Sequence, residues 1–358
     1  MSELAVHHTD EVSALEPLIV QRADPSMRDA WDEFVAGCEG ATFFHQWGWT
    51  ETVERVLRHP TYYLCAVRGR SIEGVLPLAH VKSFLFGNAL ISCPFAVYGG
   101  VAAHTDEARQ SLTNEARVLA HDLGVDYLEL RYRDPLPGQS PPEKDLYVTF
   151  RKTIEADPDV NLKAIPRKQR AMVRKGIKAG LVGEIDQDTD RFFAQYSESV
   201  RNLGTPVMSA RWFAGLKETF GDQVEVLTVV HDGAPVCGLM TFYFRDEVLP
   251  YYGGGGGAAR GLKANDFMYW DLMRRAGEAG YTVFDYGRSK KGTGSYSFKR
   301  NWGFEEAPLN YAYFLERAAD IPNVSPTNPK YQAFIKIWQR MPLGLSRTVG
   351  PVLARYLG

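Results

Sequence analysis

The chain has 358 residues, with 41 basic against 43 acidic side chains, 45% hydrophobic and 23% charged residues. These ordinary globular values exclude a disordered, collagenous or low-complexity polymer, and a formal charge of −2 excludes a globally basic nucleic-acid binder while leaving room for local patches. At roughly 150 residues per domain the length predicts about two domains.

The opening MSELAVHHTDEVSALEPLIV lacks a basic region followed by an apolar one, so no secretory signal is expected, and residues 1–16 read as a flexible leader. No apolar run is long enough to span a bilayer. Cys38, Cys65, Cys93 and Cys237 are dispersed without a CxxC pair and read as reduced thiols of a cytoplasmic protein. Leu18-Ile19-Val20 reads as a strand. Trp31, Phe34 and Val35 then sit at the spacing of a buried helix face.

An internal duplication follows. In the first half, Tyr63–Val67, the turn Arg68-Gly69-Arg70 and Ile72–Leu78 read as a hairpin. In the second, Val226–Val230, His231-Asp232-Gly233 and Pro235–Thr241 read the same way. Tyr98-Gly99-Gly100 and Tyr252-Gly253-Gly254 come next in each. Then come helices near Glu107–Leu123 and Asp266–Ala279, each followed by a glycine, Gly124 or Gly280, placed as a C-cap. Each repeat closes on a strand ending in a carboxylate, Glu129 or Asp285. The ordered recurrence predicts that Gly74 superposes on Gly238. Two α/β domains with mixed sheets are expected, at 17–152 and 153–317, parted after the Pro/Gly/Ser-rich stretch 135–142, with a tail over 318–358.

Three segments carry candidate chemistry. Residues 161–183 hold seven Lys/Arg and no Asp or Glu. Pro166 suits a first helical position, and Arg170 and Arg174 share a face with Arg167 and Lys178, a phosphate clamp or a merely solvated surface. The glycine run Gly253–Gly257, leading to Asn265, lacks the lysine of a P-loop. It reads either as a backbone cradle for an acyl carbonyl or phosphate, or as a loop without ligand. Phe284 through Phe304 joins a strand-end carboxylate, a basic glycine-rich loop and a Phe-Lys helix, and no structural need explains that composition. No GxSxG, HExxH or paired Cys/His spacing is present, so neither a serine hydrolase nor a metal site is expected.

The segments Ile165–Lys175, Asn202–Val207, Asn265–Trp270 and Phe284–Phe304, with the duplication, resemble the FemAB family, and most closely its members associated with PEP-CTERM/exosortase exopolysaccharide systems. The resemblance covers about residues 17–316. It implies two tandem GNAT-like domains and acyl transfer to an amine, with Phe298-Lys299 matching the Phe-Lys pair at the family's catalytic centre. The sequence departs from tRNA-using members in leaving no room for a long helical arm between Gly180 and Trp212. It departs from the GNAT pyrophosphate signature at Arg260, where Lys263 replaces a glycine.

The resulting expectation is a cytoplasmic acyl- or aminoacyltransferase acting on an amine of a cell-envelope or exopolysaccharide precursor. The co-substrate is aminoacyl-tRNA or an acyl-CoA/carrier thioester, with no permanent cofactor. Lys299 is expected to stabilise charge, Asp285 to accept a proton or order its loop, and Tyr252 to position the carbonyl. Phe298, Arg288, Ser289, Ser297, Asn265, Arg170 and Arg174 are expected to bind substrate. The alternatives are a GNAT-like scaffold binding a nucleotide-sugar or lipid-linked glycan, and an RNA-binding module. The tail carries five basic and no acidic residues from 321 onward. Its stripe Phe334, Ile335, Trp338, Met341 is expected to lie on the inner membrane surface or to dock on the first sheet.

Overall fold

The computed structural model describes residues 16–83, 87–135, 147–321 and 329–357. The expected leader, apart from Glu16, and most of the proline-rich linker lie outside them. In chain order come β1 (Leu18–Arg22), α1 (Arg28–Gly37), α2 (Trp47–Thr52), β2 (Thr61–Arg68), β3 (Ser71–Ser83), β4 (Gly87–Ser92), β5 (Ala102–Ala103), α3 (Asp106–Leu123), β6 (Tyr127–Tyr132) and β7 (Tyr147–Thr153). The second half adds α4 (Pro158–Ala164), α5 (Arg167–Lys178), β8 (Val182–Asp186), α6 (Asp190–Leu203), α7 (Ala210–Phe220), β9 (Val224–His231), β10 (Ala234–Phe244) and β11 (Glu247–Gly255). After these come α8 (Ala259–Leu262), α9 (Ala264–Glu278), β12 (Val283–Asp285), β13 (Ser289–Lys290), α10 (Gly294–Asn301), β14 (Glu305–Pro308) and β15 (Asn310–Leu315). The chain closes with α11 (Pro329–Gln339) and α12 (Leu343–Ala354).

Two mixed sheets result. One runs β1-β2-β3-β4-β6-β15 with β5 on β3, the other β8-β9-β10-β11-β12-β7-β13 with β14 on β7. Each is antiparallel except for one parallel pair, β4 with β6 and β11 with β12. The halves thus repeat one topology, as the sequence predicts, and Gly124 and Gly280 both take the left-handed conformation that follows a helix end, at φ +60° and +93°.

The division at 152/153 and 317 does not match the sheets. β7, the strand after β6, crosses to pair with β12, and β15 returns to pair with β6. Each half lends its last strand to the other, and no local sequence pattern can report such an exchange. The halves also share one core: Phe43 stacks on Phe242 at 4.5 Å, and Trp49 meets Trp212 edge-on at 5.5 Å.

Two superpositions expected from the repeat are corrected by register. Counting from each hairpin turn, one residue bulges out before Gly74 and one before Cys237, so Gly74 matches Cys237, not Gly238. The faces agree. A Cβ on Gly74 would strike Leu112 of α3, whereas one on Gly238 would meet Phe192 of α6. A one-residue slip reverses the face because the strand period is two. The Tyr-Gly-Gly triplets are also not equivalent: Tyr252 lies within β11, whereas Tyr98 lies in a loop between β4 and β5.

The described part of the tail docks, and mainly on α6 rather than on the first sheet. Ile335 packs against Gly204, Trp338 is buried, and Arg201 donates to the Met341 carbonyl at 3.1 Å. Arg347 donates to the Ser197 hydroxyl at 2.8 Å, and His59 bonds the Arg355 carbonyl at 2.6 Å. The predicted apolar stripe is therefore spent on the protein itself.

Candidate active site

The parallel strands β11 and β12 pair only at Glu247–Val283 and Val248–Phe284. Beyond that point β11 continues along β10, while β12 follows β7 and turns away. Parting parallel strands leave a crevice at their carboxyl ends, where open α/β sheets take ligands. The glycine run does not line it as a phosphate cradle. Gly253, Gly254 and Gly255 are strand residues, and a Cβ on Gly253 would strike Leu239 and the Tyr269 hydroxyl. The Gly256 N–H bonds the Val236 carbonyl and the Gly257 N–H the Glu198 carboxylate, both at 3.1 Å. These glycines permit close packing, and the two N–H groups are spent.

Asp285, at the end of β12, is 1% exposed. Its carboxylate accepts from Gly287 N–H at 2.7 Å, Tyr98 hydroxyl at 3.0 Å and Thr149 hydroxyl at 3.3 Å, and pairs with Arg151 at 3.2 Å. With its lone pairs so occupied it orders the 286–288 loop and joins β7 and the 93–101 segment to it. Arg151 is its cationic partner. This geometry favours loop ordering over proton acceptance. Arg151 and Arg133 both also bond Glu247, whose carboxyl is raised by burial and lowered in part by these two cations.

Lys299 stands on α10, the Phe-Lys helix expected from sequence. Its ammonium donates to the carbonyls of Tyr286, Gly287 and Arg288 at 2.6, 3.0 and 3.1 Å. Burial pushes it down to about 7, against the attraction of Asp285. The sequence suggests no packing role for this lysine, yet it clamps the loop. Arg288 lies between Tyr147 and Tyr311, its guanidinium 4.8 Å and 6.0 Å from their ring centres, with one long bond to the Tyr311 hydroxyl. Among the described residues neither Lys299 nor Arg288 forms an ion pair. Two cations without a directly bonded carboxylate, beside tyrosines from both sheets, suit an anionic group or a developing oxyanion.

The other expected residues divide. Tyr252 accepts from the Trp212 indole at 3.1 Å within an aromatic cluster of Tyr196, Phe213 and Phe242, apart from the Lys299 contacts. Phe298 packs on Tyr269 and Trp302, and the Ser297 hydroxyl is bonded back to Thr293, so both hold α10 in place. Ser289 is buried in β13 and its hydroxyl has no bonded partner among the described residues. Asn265 opens α9 with its buried Oδ1 unbonded beside Gly255. Arg170 and Arg174 lie on α5, where Arg167, Arg170, Arg174, Lys175 and Lys178 line a shallow groove of about 370 Å³. Pro166 is the cap before this helix rather than its first residue. Thr149, Arg151, Tyr147 and Tyr311 escaped sequence reasoning because the strand exchange brings them in, and Tyr98 because it comes from a loop of the first half.

Residues 163–300 match a sequence model for the acetyltransferase (GNAT) domain. No curated protein matches the chain. Among solved structures, FemX aligns with a TM-score of 0.64 at 14% identity, over 88% of this chain and all of FemX. A tandem GNAT protein from the clavulanic acid biosynthesis pathway aligns at 0.54 and 14% identity, over 85% of this chain and all of that one. The C-terminal domain of a protein assigned as a lysylphosphatidylglycerol synthetase, from Agrobacterium fabrum, aligns at 0.52 and 13%, over 80% and 91% of the two chains. The chain therefore has the tandem GNAT fold, mixed α/β in both halves, and its second half carries the GNAT domain match.

Proposed function

We propose that the protein is an acyltransferase that joins an activated acyl or aminoacyl group to an amine, with the reaction at the mouth of the β11/β12 crevice. The observation that carries this reading is the pair Lys299 and Arg288, two cations outside any ion pair where the parallel strands part. In the reaction the neutral amine attacks the donor carbonyl, a C–N bond forms, and the carbonyl oxygen becomes an oxyanion. The oxyanion collapses to expel a thiolate or a tRNA ribose oxygen, and the amine's proton leaves to solvent. Lys299 stabilises the oxyanion by exchanging one loop carbonyl for it, and Arg288 holds an anionic group of donor or acceptor. Asp285 acts by fixing the loop.

Residues 182–220 form β8, α6 and α7 with a short link and no long arm, so an acyl-thioester donor stands beside aminoacyl-tRNA. The sequence resemblance to the FemAB family motivates an acceptor amine on a cell-envelope or exopolysaccharide precursor. The assay offers acyl-CoA and aminoacyl-tRNA in turn with a panel of amines, reading released thiol or deacylated tRNA. A Lys299→Met variant within about threefold of wild type would sink the catalytic role, since loss of such a contact costs roughly 10²–10³ in rate. A second reading, a GNAT-fold scaffold without turnover, draws on the complete satisfaction of Lys299 and Asp285 by protein groups. It expects ligand binding in the same crevice with neither donor consumed.

A further inference from the structure

The last of the two C-terminal helices, α12, meets the protein in an inverted way. An amphipathic helix normally buries its large apolar residues and exposes its small or polar ones. In α12 the buried residues are Ser346, Gly350 and Ala354, a small-residue stripe that lets the helix lie directly on the Val207 backbone. Leu343, Val349 and Leu353 are half-buried, while two of its large apolar residues point the other way. Leu345 and Val352, seven apart and so on one face, are 49% and 61% exposed. On α11, Trp338 and Ile335 are spent on the docking, while Ile337 is 66% exposed. Leu357 beyond α12 and Leu203, the neighbour of the Gly204 contact, are exposed as well.

Charge selects the occupant of this face. From residue 321 to the end the chain has five Lys/Arg and no Asp or Glu. Arg347 is tied to Ser197 and Ala194, but Lys336 and Arg340 are exposed on α11 and at its end. A bilayer rich in anionic headgroups complements exposed cations beside exposed apolar side chains: the apolar side chains enter the headgroup boundary while the cations stay at the phosphate level.

We propose that the outward face of α11 and α12, centred on Ile337, Leu345 and Val352 and edged by Lys336 and Arg340, seats the protein on an anionic lipid surface. This differs from the membrane contact expected from sequence, because the Phe334–Met341 stripe faces inward and other residues do the work. The docked helices need not detach. The proposal stands independently of the transferase reading.

The test is co-sedimentation of the full chain with vesicles of phosphatidylglycerol and phosphatidylcholine, and with phosphatidylcholine alone. The wild type is expected in the pellet with the anionic vesicles at low salt and in the supernatant at high salt. The variant Ile337→Ser/Leu345→Ser/Val352→Ser alters only exposed side chains. Its partitioning should fall by about tenfold or more with an unchanged circular dichroism melt. A Lys336→Glu/Arg340→Glu variant should lose the preference for anionic lipid. Equal recovery of wild type with and without vesicles overturns the proposal, as does a serine variant that sediments like wild type. So does self-association of the wild type through this face, abolished in the serine variant, without vesicle binding.

Discussion

The two halves repeat one topology but treat their parallel strand pair in opposite ways. In the first, the nine residues Cys93–Val101 stand where the second has Tyr251–Gly253. That segment seals the gap beside β6: the N–H groups of Gly99 and Gly100 both donate to the Arg131 carbonyl at 2.9 Å. In the second half, β11 stays a strand and the far wall of the gap is the 286–288 loop, held by Lys299. Tyr98 and Tyr311 of the first sheet's half reach Asp285 and Arg288 in the candidate site of the other. The fold alone does not make a crevice; what the chain does beyond the parallel pair decides it.

Removing Lys299 gives the largest expected effect. Lys299→Met should lower turnover roughly 10²–10³-fold and also leave the carbonyls of 286–288 short of a donor, at about 1–3 kcal/mol of stability. Urea titration separates the two losses, and full stability with full activity would place the working half elsewhere.

Paired glycine substitutions sharpen the contrast. A Cβ on Gly100 would come within 2.3 Å of the Tyr132 ring, and one on Gly253 within 2.8 Å of Leu239. Gly100→Ala and Gly253→Ala should each cost about 1–3 kcal/mol by overpacking. Only the second should depress turnover in the remaining folded protein. An equal loss of specific activity in both would mean that the seal in the first half is part of the site.

Titration offers a third route. Burial lowers the Lys299 ammonium to about 7 in the folded chain, whereas an unfolded lysine titrates near 10.4. Between those values the unfolded state binds more protons, so stability should rise with pH across that window and the burial cost is full below it. If the charge does the work, activity should decline as pH rises through about 7, opposite to stability. Lys299→Arg should carry activity to higher pH, and a wild-type profile flat from 6 to 9 would count against a charged Lys299.

The repeat, the hairpins and the helix caps are legible in the sequence because each rests on local spacing. The site partners are not. Thr149 and Tyr147 look like ordinary residues of a first-half strand, and only the crossing of β7 puts them beside Asp285 and Arg288. Lys299 was found but its contacts were misjudged, since nothing in a Gly/Ser/aromatic segment signals that three carbonyls will turn toward one ammonium. The Gly74 pairing failed on a bulge, which sequence periodicity alone cannot place.

The smallest expected effect concerns α5, which has no described counterpart in the first half. α4 and α5 precede β8, whereas no described helix precedes β1. α5 packs on α9 through Val173 and Gly176, where a Cβ would strike Phe267, and turns its cations outward. None of Arg167, Arg170, Arg174, Lys175 and Lys178 makes an ion pair among the described residues, so their mutual repulsion goes unrelieved. Such a row is tolerated without ligand only at a small cost, and an anionic co-substrate would relieve it. Arg174→Ala removes one charge from the exposed side and should change stability by no more than about 0.5 kcal/mol. If α5 steadies the phosphates of the donor, KM for that donor should rise a few-fold with kcat unchanged, and the salt dependence of binding should lose about one phosphate contact. If KM and its salt slope match wild type, the second half works through its crevice alone and α5 is a solvated face.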